Sequence, residues 1–213
     1  MLCIEMIIDN LYSVQDLPYG ATYGQWTVRW WQWFFSVPKS ENPIADITGV
    51  RADADQKFSN VFFLAGKLPG EDRILPKRTC KISEDMAILF PIINCEANAL
   101  EYPELNSDEA ILKHVKRDED SIVLKECFVN GERISAQRVK SDPAIFELHI
   151  KKDNVVDAQA GLTRASADGY WVFLKPLPVG KYEITFRGSC EFGRLYSGAN
   201  YNIQVAKKAH ANV

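Results

Sequence analysis

Asn94-Cys95-Glu96 is the first place where this chain gathers groups able to move a proton. The triplet closes an apolar run, Ala87 to Ile93, and a polar group at the end of a rigid strand is where scaffolds commonly set site residues. Glu101 and Glu104 follow closely in sequence. Two carboxyls in one cleft can split their pKa values and serve as acid and base. That pattern makes Glu96 and Glu101 the catalytic candidates, set against the plainer reading of a solvated acidic loop. Tryptophan faces suit sugar rings, so Trp31 and Trp171 join Asn94 and Phe35 as ligand- or partner-binding candidates. Asp53 and Asp55 form a D-x-D pair in a loop, the kind of oxygen donor that hard cations take. Position 57 is lysine and no glycine-then-glutamate spacing follows, so the full calcium-loop pattern is missing.

Other chemistries find little material. There are three histidines, His114, His149 and His210, and none has a second ligand at metal spacing. Gly188-Ser189-Cys190 lacks the G-x-S-x-G form of a nucleophile elbow, and no glycine-rich phosphate loop occurs, so no cofactor is expected. The five cysteines, Cys3, Cys80, Cys95, Cys127 and Cys190, make no CxxC pair. Their odd number leaves at least one thiol outside any intrachain bridge, though a single bridge such as Cys80 to Cys95 stays open. A net charge of −3 offers no basic footprint for nucleic acid.

The elements that must hold these residues are legible from periodicity. Trp26, Trp30, Trp33, Phe34 and Val37 recur at helical spacing, which predicts an aromatic helix over 22–37. Thr22 can cap it and Pro38 stops it. Arg29, Gln32 and Ser36 mark its polar side, with Trp31 and Phe35 at the flank of the apolar stripe. A second, short helix is expected near 107–118, capped by Ser107 or Asn106. Elsewhere the chain reads as strand and turn. Asn130-Gly131, flanked by the strand-like runs Ile122 to Val129 and Arg133 to Val139, is a strong hairpin signal, Asp168-Gly169 reads as another turn, and Pro91 calls for a bulge, an edge or a strand end. Phe146, Leu148 and Ile150 alternate, as do Tyr182, Ile184 and Phe186. The expectation is a mainly β (α+β) single domain over 1–213. It comprises an N-terminal arm (1–20), the aromatic helix, and an antiparallel sandwich or barrel over 60–206 with the helical insertion. The tail from Lys207 is expected to fray.

Several segments together resemble a set of uncharacterised bacterial and archaeal proteins. These are Tyr23-Gly24-Gln25-Trp26 running into Trp30-Trp31-Gln32-Trp33, then Phe63-Leu64-Ala65-Gly66, then Ala87 to Asn94. The last is Asp168-Gly169-Tyr170-Trp171 leading to Leu174-Lys175-Pro176-Leu177-Pro178. The resemblance spans about residues 20–205 and brings no activity with it. Many of those relatives look secreted, whereas Met1 to Asn10 here has neither a basic start nor a small-residue cleavage site. No apolar run reaches ~18 residues, so no membrane span is expected. Scattered cysteines favour a reducing, cytoplasmic setting, with secretion as the alternative.

Two functions compete on these grounds. The preferred one is a non-catalytic β-sandwich that binds a protein partner or its own copy through the flank of the tryptophan helix, Trp31 and Phe35. The alternative is a hydrolase or lyase on a polar or carbohydrate ligand, with Glu96 and a second carboxylate as acid and base.

Overall fold

The computed structural model describes residues 10–208, apart from the Phe192 side chain. The first nine residues of the expected arm, with Cys3, and the tail from 209, with His210, lie outside the described residues.

Two five-stranded sheets pack face to face, a sandwich and not a barrel. In the first sheet, β1 (Val61–Phe63), β3 (Ala87–Asn98) and β8 (Gly161–Leu174) lie side by side. β6 (Gln137–Lys140) and β7 (Phe146–Ile150) share the other edge of β8. The second sheet runs β2 (Lys77–Ser83), β10 (Leu195–Ala206), β9 (Gly180–Cys190), β4 (Leu124–Val129) and β5 (Glu132–Ile134). Most pairings are antiparallel, as expected, but β1–β3 and β2–β10 are parallel. The chain leaves β1 for the second sheet to make β2, then returns for β3, so β1 and β3 run the same way.

Between the sheets, Phe90 of β3 meets Phe186 of β9 with ring centroids 4.9 Å apart, inside an apolar layer completed by Ile184, Tyr201 and Val172. Helix α1 (Tyr23–Ser36) covers the outer face of the first sheet. Its start is a full capping box: Gln25 N–H donates to Thr22 Oγ1 at 3.1 Å, and Thr22 N–H donates to Gln25 Oε1 at 3.0 Å. Trp26, Trp30 and Trp33 pack over Phe63, Phe173 and Trp171. Each tryptophan buried this way removes ~150–250 Å² from water, worth at most about 4–6 kcal/mol. Their indole N–H groups donate to the carbonyls of Pro18, Leu64 and Ala54, which pins three loops to the helix. Helix α2 (Asp108–Asp120), capped by Ser107, lies across the far end of β3 and β8 through Ile111 and Val115. None of the described helices is long and apolar enough to cross a membrane.

Three expectations are corrected. Asp168-Gly169 is no turn but the middle of β8, where Asp168 is buried against Arg138 and a side chain on residue 169 would strike Asn94. The span from Arg133 to Val139 is not one strand: it breaks after Ile134 and changes sheet. Cys80 and Cys95 are free thiols, since Cys80 points into the inter-sheet layer while Cys95 faces α2. Pro91 sits at a β-bulge, where the pairing of β3 with β8 shifts register between Pro91 and Ile93.

Candidate functional site

β1 pairs with β3 only through Val61–Phe63 against Ala87–Leu89. Beyond that point the edge of β3 has no strand partner on this side among the described residues. A pocket of about 280 Å³ occupies the gap. Its walls are Trp31, Phe34 and Phe35 of α1, Lys67 to Pro69 of the segment after β1, and Asp118 with Ser121 and Ile122 at the end of α2. Cys190, Glu191, Leu195 and Ser197 at the β9–β10 turn close the far side. The floor is Ile93 to Glu96 of β3, with Glu101 and Tyr102 beside it.

The sequence around Asn98 folds the two candidate acids together. Asn98 ends β3 fully buried, and its Oδ1 accepts from the N–H groups of Leu100 and Glu101 at 2.9 and 3.0 Å. This side-chain turn, a habit of asparagine, doubles the chain back on itself. Asn98 Nδ2 then donates to Glu96 Oε1 at 3.1 Å and to Glu101 Oε2 at 3.4 Å. Those two oxygens are no farther apart than the two hydrogen bonds laid end to end, inside the ~10 Å within which paired carboxyls cooperate. Glu104 stays exposed and is not drawn in.

Both acids hold their protons more tightly than usual. Glu96 is pushed well above the ordinary carboxyl range, first by burial and then by the neighbouring Glu101 charge, against the pull of the Asn98 bond. Burial raises Glu101 to about 7, opposed by its bonds to Asn98 and Tyr102. Behind the floor, Cys95 Sγ donates to Glu119 Oε2 at 3.2 Å. Burial lifts Glu119 to about 8, and burial with the Glu119 charge lifts the Cys95 thiol, so Cys95 is no ready nucleophile. Nearby, Arg138 grips the buried Asp168 through Nη2 at 2.8 Å and reaches Asp120 through Nη1 at 3.0 Å.

Two residues that line the pocket carry a buried nitrogen without a hydrogen-bond partner, the indole N–H of Trp31 and the amide of Asn94. The other candidates separate. Trp31, Phe35 and Asn94 line the pocket, but Trp171 does not; it lies beneath α1, edge-on to Trp30 at 5.5 Å. The expected exposed aromatic flank does not exist, because Trp31 and Phe35 are 8% and 1% exposed. The stripe is wide enough to wrap from the sheet into the pocket, which consumes both residues. Asp53 and Asp55 are exposed, Asp55 pairs with Lys57 at 2.5 Å, and no cluster of three metal-ligating groups forms among the described residues.

Asn98 is the residue that sequence reasoning missed. Its signal in the sequence is an asparagine ending an apolar strand just before an irregular stretch. Comparison with known proteins adds no assignment: no family model, curated protein or solved structure matches the chain.

Proposed function

We propose that the chain is an acid–base enzyme, a hydrolase or lyase, acting on a small polar ligand held in this pocket. The observation that supports it is the bridge from Asn98 to both Glu96 and Glu101 at the pocket floor. Glu96 Oε1 is committed to Asn98, so the proton of the neutral acid resides on Oε2 and is available to a leaving oxygen. Glu101, raised to about 7, is partly ionised at neutral pH and can take a proton from water or from an acidified carbon. A pocket of 280 Å³ is small by the ~300–1,000 Å³ standard of ligand sites, which points to a compact substrate.

The reading is tested with chromogenic 4-nitrophenyl glycosides and esters. The expected activity rises through about pH 7 as Glu101 ionises and falls at higher pH as Glu96 loses its proton. Glu96→Gln and Glu101→Gln should each lose ~10²–10⁴-fold. Turnover that both variants keep would reject the assignment.

Binding without turnover is the second reading, favoured by the apolar wall that Trp31, Phe34, Phe35 and Leu68 supply. Under it a ligand still docks when Glu101 is replaced. Self-association through α1 has lost its surface, since all five tryptophans are at most 8% exposed.

A further inference from the structure

Taking the pocket as a ligand site, and so resting on the reading above, we propose that its ligand is a short extended peptide, added as a strand to the free edge of β3. Hydrogen bonds alternate along an antiparallel pair: one residue turns its N–H and C=O toward the partner strand and the next turns them away. On β8, Ala167 faces away from β3. Its C=O accepts from Ser141 N–H at 2.9 Å, and its N–H donates to Ser141 Oγ at 3.2 Å. Ala167 lies opposite Glu96, and Gly169 lies opposite Asn94. Asn94 and Glu96 therefore turn their N–H and C=O groups to the outer edge of β3. Asn98 does the same, and its C=O accepts there from Tyr102 N–H at 2.9 Å. The outward groups of Asn94 and Glu96 have no hydrogen-bond partner among the described residues. Backbone donors and acceptors placed like this are completed by water or by a ligand.

The lane beside them is the one that the chain gives up after β1. Leu64 N–H still donates to Leu89 C=O at 3.1 Å, but Lys67 N–H turns to Gly198 C=O at 3.0 Å and Gly70 bridges Tyr196, both in β10 of the other sheet. The pocket floor, Ile93 to Glu96, is the stretch left open. Asn94 is partly exposed although its side-chain nitrogen is buried, which leaves its accessible surface to its other atoms. Each outward residue offers one donor and one acceptor, and the two sets repeat at strand spacing. The matching complement is another extended backbone. Side chains of a strand point alternately to its two faces. Trp31, Phe34 and Phe35 wall one side of the lane, and Ile122 with Leu195 the far side, so both faces suit apolar side chains. A volume of about 280 Å³ between these walls admits a loose peptide and not the edge of a second folded sheet. Asn94 to Glu96 spans about 7 Å of strand, which about three ligand residues match. The outer two pair with Asn94 and Glu96, and the middle one faces away. Peptide recognition by strand addition works in this way, with affinity from the backbone and selectivity from alternate side chains.

The probe is the blocked tripeptide acetyl-valyl-alanyl-valinamide, with derivatives in which a single backbone amide is methylated. Binding to the full chain is followed by NMR, with hydrogen exchange read at each amide of β3. In the free protein, the Asn94 and Glu96 N–H groups should exchange at least about ten-fold faster than those of Cys95 and Ala97, which face β8. The tripeptide should slow exchange at Asn94 and Glu96 and leave the other two unchanged. Methylating the amide of either valine should weaken binding about ten-fold, whereas methylating that of the alanine should cost less than about three-fold. Equal exchange of the four amides in the free protein would overturn the edge assignment. Equal sensitivity to all three methylations, or no binding of the unmodified peptide, would overturn the ligand class. A carboxyl titration separates this proposal from the acid–base reading. No peptide binding with Glu101 still titrating near 7 removes the peptide and keeps the acid pair. Alternating sensitivity with a midpoint near 4.5 keeps the peptide site and removes the acid–base chemistry.

Discussion

Replacing Glu101 by glutamine should flatten the pH dependence of stability. The Glu101 carboxyl moves from an ordinary value of 4.5 to about 7 on folding, chiefly through burial. Each pKa unit corresponds to about 1.4 kcal/mol. After allowance for partial exposure of the side chain, the group contributes about 2–3 kcal/mol of pH-dependent stability. The sign follows from which state holds the proton. Below pH 4.5 the folded and unfolded chains are both protonated and the contribution is fully present. As pH rises, the unfolded chain releases its proton first, and stability drains away until the folded group ionises near 7. A domain with ~5–15 kcal/mol in total would show this clearly. Urea unfolding followed by tryptophan fluorescence at pH 5.0 and 7.5 measures it for wild type and Glu101→Gln. Wild type should lose about 1.5–2 kcal/mol more than the variant over that interval, since part of the contribution is already gone at pH 5.0. Identical losses in both proteins would refute the burial of this carboxyl in its neutral form.

The remaining expectations concern the supports of the site. Gly169→Ala places a Cβ 2.5 Å from Asn94 Cβ and 2.7 Å from Trp171 Nε1, so it should destabilise by about 1–3 kcal/mol; an unchanged urea midpoint would count against the close approach. Asn98→Ala removes the bridge and the turn together, costing about 1–3 kcal/mol and raising the Glu96 pKa further, which a carboxyl titration would register. Arg138→Leu leaves Asp168, 2% exposed, without its cation and should cost roughly 2–4 kcal/mol; calorimetry showing no loss would mean that Asp168 finds another partner. Tryptophan emission should be blue-shifted and resist acrylamide, and strong quenching would contradict the burial of α1.

Much of the architecture can be read from single segments. Tryptophans at helical spacing, bounded by Thr22 and Pro38, define α1 within a residue at either end. Alternation defines β7 and β9, and Asn130-Gly131 turns β4 into β5 because both residues accept positive φ, 51° and 81°. What periodicity cannot carry is partnership between distant residues. Asp168-Gly169 has the composition of a turn, yet Arg138 neutralises the aspartate and Asn94 occupies the space above the glycine, so the strand runs through. The same limit applies to the site. Glu96 and Glu101 are visible as neighbours in sequence, but the walls from α1, α2 and the β9–β10 turn meet there only through tertiary packing. Trp31 and Phe35 stand out as excess aromatic surface, and only the fold shows that the excess lines a cavity instead of facing solvent.

The central claim is that the pocket floor holds two carboxyls that share one amide and keep their protons near neutrality. Carbon-13 NMR of glutamate-labelled protein, assigned with Glu96→Gln and Glu101→Gln, measures this directly. The account predicts a Glu101 midpoint at about 7 and a Glu96 midpoint well above the ordinary carboxyl value. Two midpoints near 4.5 would show that the carboxyls are solvated and independent, and the proposed chemistry would have no site.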